Sequence, residues 1–160
     1  MRVILQKFLL DLFNHNQGEN VMRIYSTEDR IKIKVDGLVF EISPLSFNQK
    51  MEIQAEIING EIKGDPLGAM KGAALAVKYA VKSITGLKNS EGKDYEFGFD
   101  DKGLTDESVD DLFNMEQGQK LTLVCLNLLA AIPKEFVDPS TGEAIEGVSL
   151  VKKGKTPAKK

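Results

Sequence analysis

DRIKIKVDGLVFEI, residues 29–42, places Ile31, Ile33 and Val35 on one side of an extended chain and Arg30, Lys32 and Lys34 on the other, and the pattern resumes with Leu38, Phe40 and Ile42. A period of two marks strands buried on one face. Between the two runs stands Asp36-Gly37, a pair that accepts the positive φ angles of a tight turn. The stretch predicts a β-hairpin with one face on a core. The rest of the chain must cover that face.

Downstream, SPLSFNQKMEIQAEIING offers Ser46 as an N-cap with Gln49 three residues on, a capping box, and sets Phe47, Met51, Ala55 and Ile58 at helical spacing. A helix is expected to about Ile58, before Asn59-Gly60. The next is expected to open with Asp65 as cap and Pro66 at its first position, run through LGAMKGAALAVKYAVKSIT, and stop at Gly86. Its small residues, among them Gly68, Gly72, Ala73, Ala76 and Ala80, permit close approach of a neighbour. Leu67, Met70, Val77 and Ile84 also ask for burial, so that neighbour is expected in the core.

KDYEFGFDDKG reads as a short strand and turn, because Tyr95, Phe97 and Phe99 alternate with Asp94, Glu96 and Gly98. LTDESVDDLF starts a helix with Thr105 as cap, Asp106 and Glu107 in its positive first turn, and Leu104 stapled to Val109. QKLTLVCLNLLAAIP is apolar nearly all round and predicts a central helix ended by Pro133. Two short extended pieces around the turn DPSTG are expected after it. This order predicts an α+β fold: a small antiparallel sheet with a leading β-hairpin, packed by about four helices.

The chain divides into residues 1–21, a single α+β domain over 22–150, and a lysine-rich tail over 151–160 expected to be disordered. Ile4, Phe8 and Leu12 give the first part the spacing of a short amphipathic helix. Gln17-Gly18-Glu19 can be encoded by CAA-GGA-GAA, a purine-rich ribosome-binding sequence just before Met22. Residues 1–21 are thus either an upstream extension, with Met22 the start, or a helix docked on the core. No cleavable signal and no membrane span is expected, which points to the cytoplasm.

The chain carries 21 Lys and Arg against 24 Asp and Glu; without Lys152, Lys153, Lys155, Lys159 and Lys160 this leaves 16 against 24, a charge of −8 on residues 1–150. A body this acidic repels phosphate. Only the five tail lysines offer nucleic acid a foothold, a weak and salt-sensitive one, so nucleic acid is not the expected partner.

Recognisable catalytic chemistry is missing from the pattern. His15 has no second histidine or cysteine at ligand spacing, and Cys125, in LTLVCLNLLAAI, reads as a small buried residue. Nine carboxylates lie between Asp94 and Glu116, yet the calcium-loop pattern fails because its first ligand would be Gly98. GDPLGAMKG lacks the Lys-Ser/Thr ending of a phosphate loop. We read a non-enzyme with no cofactor and no metal, working through a surface. Asp100, Asp101, Asp110 and Asp111 are candidate partner contacts on an acidic face.

VDGLVFEISPLSF, a capped helix, a second long helix, FDDKGLTDESVDDLF, an apolar helix ending in Ile-Pro and a turn-rich lysine tail together resemble, in order of elements over Met22 to Leu150, the tail assembly chaperones of long-tailed bacteriophages. The resemblance implies a non-enzymatic protein that coats the apolar helices of the tape measure protein in the infected cell during tail morphogenesis. It makes Met51, Met70 and Met115 candidate groove residues, since methionine repacks against varied partners. It also implies a minority longer product made by ribosomal slippage, for which Lys152-Lys153, written AAA-AAG, would serve. A plain solubilising tail is the alternative there. The alternative for the whole chain is a small phage or bacterial regulatory protein that binds a host enzyme or nucleic acid. Self-association is left open.

Overall fold

The computed structural model describes residues 26–130, 132–133 and 135–151. The helix expected near the N-terminus, the start at Met22 and the tail lysines lie outside these residues. Strands β1 (Ile31–Val35) and β2 (Leu38–Ile42) form the expected hairpin, with Ile33 opposite Phe40 and Val35 opposite Leu38. Asp36 and Gly37 both take positive φ, 48° and 90°, the turn that suits the right-handed twist of paired strands. Lys120 Nζ donates to Asp36 Oδ1 at 3.0 Å, and the Asp36 N–H donates to the Gly147 carbonyl, so the turn is anchored from two later parts of the chain.

The Ser46/Gln49 capping box opens α1 (Phe47–Lys63). This helix runs through Asn59-Gly60, five residues beyond the end predicted at Ile58. Gly60 is not a stop signal: it lies against Gly68, where a Cβ would come 2.5 Å from the Gly68 Cα. The left-handed residue that ends the helix is Gly64, φ 67°. Helix α2 (Gly68–Ala80) folds back antiparallel along α1, placing Gly72 against Ile57. It begins two residues later than Asp65 and Pro66 predict, but Asp65 still stabilises the entry by accepting the Leu67 N–H at 2.9 Å. The small residues serve the core as expected: Gly68, Gly72, Ala73, Ala76 and Ala80 are buried.

The larger correction is at the other end of α2. VKSIT, predicted as helix up to Gly86, is strand β3 (Val81–Thr85), entered directly from Ala80. Val81, Ile84 and Thr85 are β-branched and fit a pleated surface better than a helix turn, and here the open edge of β2 is available to pair with them. Residues 94–104 correct the sequence reading again. They form no strand, only isolated bridges such as Phe99 with Leu104. The segment instead wraps the end of α2, with the Leu104 N–H donating to the Lys78 carbonyl at 3.0 Å.

Thr105 caps α3 (Asp106–Phe113), with Leu104 and Val109 buried as its staple. Helix α4 (Glu116–Asn127) ends six residues before Pro133. Residues 128–130 tighten into three-residue hydrogen-bonded turns, and buried Asn127 turns sideways: its Nδ2 donates to the Val137 carbonyl at 2.9 Å while its Oδ1 accepts the Val137 N–H. That stitch brings the last segment back to the sheet, where β4 (Val148–Leu150) pairs with β1. The sheet is antiparallel throughout, in the order β3-β2-β1-β4. Ile33, Val35, Phe40, Ile42 and Val81 meet Ile53, Ala76, Val77, Leu121, Val124 and Cys125 in one core. The fold is α+β, with helices on one face and Lys32 and Lys34 exposed on the other.

Candidate interaction surface

Helix α1 has two apolar faces. Ile53, Ile57 and Gly60 point inward and are buried. Phe47, Met51, Ile58 and Ile62 point outward and are 75, 52, 45 and 60% exposed. At 3.6 residues per turn these four fall within an arc of about 60°, so they form one stripe along the helix. Leu67 and Met70, expected to be buried with Val77, are instead 53 and 60% exposed at the start of α2, because only its Gly68 and Gly72 edge faces α1. Scattered apolar side chains on a surface need no explanation; a continuous stripe does.

Of the methionines singled out in the sequence, Met51 lies in the stripe; Met70 is also exposed, but on the side of α2 opposite the Gly68 and Gly72 edge that faces α1. Met115 does not join them: it precedes α4 and is packed against the core. Phe47, Ile58, Ile62 and Leu67 belong to the surface but carry no separate signal in the residue pattern. A helix packing on one side needs one apolar arc, and α1 has a second; that surplus is the clue the spacing of Phe47, Met51 and Ile58 contained.

The acidic candidates separate into two kinds. Asp100 Oδ1 accepts the N–H groups of Lys102 and Gly103, and its Oδ2 meets Lys78 Nζ at 3.1 Å. The backbone N–H of Lys102, then the ammonium of Lys78, hold its carboxyl below the ordinary carboxylate range. Asp111 accepts from the Tyr95 hydroxyl. Asp101 and Asp110 are exposed and make no side-chain hydrogen bond or ion pair among the described residues. Thus Asp100 and Asp111 hold the segment 95–103 in place, while Asp101 and Asp110 point their carboxylates into solvent.

A cleft of about 290 Å³ between α1, α2 and α3 is lined by Glu56, Lys71, Ala74, Leu75, Lys78, Asp106 and Val109. Its Lys78 is already engaged by Asp100 and Asp106, and the Asp100 contact keeps its amine protonated above the usual range. Cys125 is fully buried and its thiol is pushed up by that burial. Tyr79, buried and hydrogen-bonded to Glu52 at 2.7 Å, is raised to about 12. Among the described residues no three His, Cys, Asp or Glu side chains are grouped to hold a metal ion, and no helix is long and apolar enough to cross a membrane. Compared with protein-family models, curated proteins and solved structures, the chain gives no significant match.

Proposed function

We propose that this protein works by binding and not by turnover, as a chaperone that holds an apolar helical segment of a partner along the outer face of α1. The observation that carries the reading is the exposed stripe Phe47, Met51, Ile58 and Ile62 on a helix whose opposite side is already packed. An amphipathic helix laid against such a stripe buries its own apolar residues at matching spacing. Met51 adds a side chain that adapts to more than one sequence. The acidic body keeps loaded complexes apart by like-charge repulsion. On the resemblance to bacteriophage tail assembly chaperones, the partner is the tape measure protein, met in the cytoplasm of the infected cell.

The test is co-expression with a tape measure protein followed by co-purification. The intact chain is expected to keep the long protein soluble, and Met51→Asp or Ile58→Asp to weaken the complex at least tenfold with helix content unchanged. Full binding by both variants, or a partner that stays insoluble beside the intact chain, overturns the reading. Salt-sensitive retention on DNA, lost with the tail lysines, would move the chain to the regulatory class instead.

A further inference from the structure

We infer that two copies of this chain pair through α1, antiparallel, about a two-fold axis passing between Gln54 and Ala55. The inference goes beyond the proposed function and rests on how the stripe is spaced. Phe47 and Ile62 stand at equal distances either side of the point between residues 54 and 55, and so do Met51 and Ile58. A two-fold rotation about an axis through that point carries the stripe onto itself. In an antiparallel pair, Phe47 meets Ile62 of the second copy, Met51 meets Ile58 of the second copy, and each contact is made twice, as an isologous interface requires.

The charges beside the stripe select the same direction. Lys50 and Glu61 lie on one shoulder of α1, before and after the midpoint with Glu61 two residues farther from it, and the other shoulder carries the uncharged Asn48 and Asn59; Lys50 Nζ makes one long contact of its own, to the Ala130 carbonyl at 3.5 Å. Antiparallel pairing sets Lys50 level with Glu61 of the second copy to within roughly one helical turn. Parallel pairing instead sets this shoulder against the uncharged Asn48 and Asn59 of the second copy and leaves Lys50 and Glu61 without an opposite charge. The area sets the strength of the pair. The exposed fractions of Phe47, Met51, Ile58 and Ile62 amount to about 400 Å² per copy, about half of the ~800 Å² per partner of a standard interface, which suits a weak, reversible pair. A helical cargo and a second copy would compete for one face, so the pair is the resting form and cargo opens it; this last step alone depends on the chaperone reading.

Two measurements on the full-length chain test the pairing. Sedimentation over a concentration series is expected to show a dimer, with dissociation at least tenfold easier for Ile58→Asp at unchanged helix content. In the second, Met51→Cys and Ile58→Cys chains are oxidised separately and as an equimolar mixture; buried Cys125 does not compete. A disulfide-linked dimer is expected at least tenfold more abundantly in the mixture than in either chain alone. Equal cross-linking in the separate samples means a parallel or unspecific contact and overturns the inference. So does a monomer at every concentration, which would give the stripe to residues 1–25 or to cargo alone. A dimer that never binds cargo would sink the proposed function and leave the pairing standing.

Discussion

Gly60 and Gly68 touch backbone to backbone: a methyl group on Gly60 would stand 2.5 Å from the Gly68 Cα, far inside van der Waals contact. The α1–α2 hairpin is closed at this point by the absence of side chains. Because the obstacle is main chain, no rotamer change relieves it.

Gly60→Ala is therefore expected to destabilise the fold despite the better helix propensity of alanine. Propensity returns about 1 kcal/mol, while forcing two packed helices apart costs about 1–3 kcal/mol. Thermal denaturation should show a lower midpoint. A midpoint equal to or above that of the parent would mean that the hairpin opens without resistance.

Asn127→Ala should cost more, about 2–3 kcal/mol, because both the N–H and the carbonyl of Val137 lose their buried partner. Residues 136–150 would lose protection from hydrogen exchange before the helices do. Uniform loss across the chain would show that the stitch is not local.

The four acidic candidates should part company on substitution by asparagine. Asp101→Asn and Asp110→Asn are expected to leave the thermal midpoint in place, as for exposed unpaired charges. Asp100→Asn should lower it, since the carboxylate holds two N–H groups and Lys78. Its lowered pKa fixes the pH window: the stabilisation is present above the unfolded value near 3.8 and is lost as pH falls through the folded value. The Asp100→Asn difference should thus be full at neutral pH and shrink in acid. A difference that grows in acid contradicts the assignment.

Tyr79 and Tyr95 supply the opposite case. Both phenols are raised from 10.0 to about 12, by burial first and then by Glu52 and Asp111 respectively. Their stabilising contribution is complete below pH 10 and is lost as the pH rises towards 12. Spectrophotometric titration should find two late-ionising phenols, one of which disappears in Tyr79→Phe and the other in Tyr95→Phe. Ionisation of both at the ordinary value would place them in solvent.

What the sequence revealed and what it concealed divide along physical lines. The hairpin was legible because alternation and the turn pair Asp36-Gly37 agree, and the caps Ser46 and Thr105 because a short polar side chain before an apolar run has a local job. The exchange of helix for strand at Val81 was not legible: AVKYAVKSIT keeps a helical spacing, and only the edge of β2, distant in the chain, decides otherwise. Gly60 and Asn127 mislead or pass unnoticed for the same reason. Each answers to a neighbour that sequence order does not reveal. In the candidate surface, Met51 was found by residue type, whereas Phe47, Ile58 and Ile62 needed the inward face of α1 to be known first.

The place of β4 beside β1 also imposes an order of events on synthesis. β1 and β2 are made early, and β2 gains its second neighbour when residues 81–85 appear, but the other edge of β1 waits for residues 148–150. Throughout that interval a nascent chain presents an unpaired strand to its surroundings. Lys32 and Lys34 sit on that strand, alternating with its buried residues, and an edge studded with lysine is a poor template for a stray strand from another chain. The residues that mark the outer face of the finished sheet are thereby also the guard of the unfinished one.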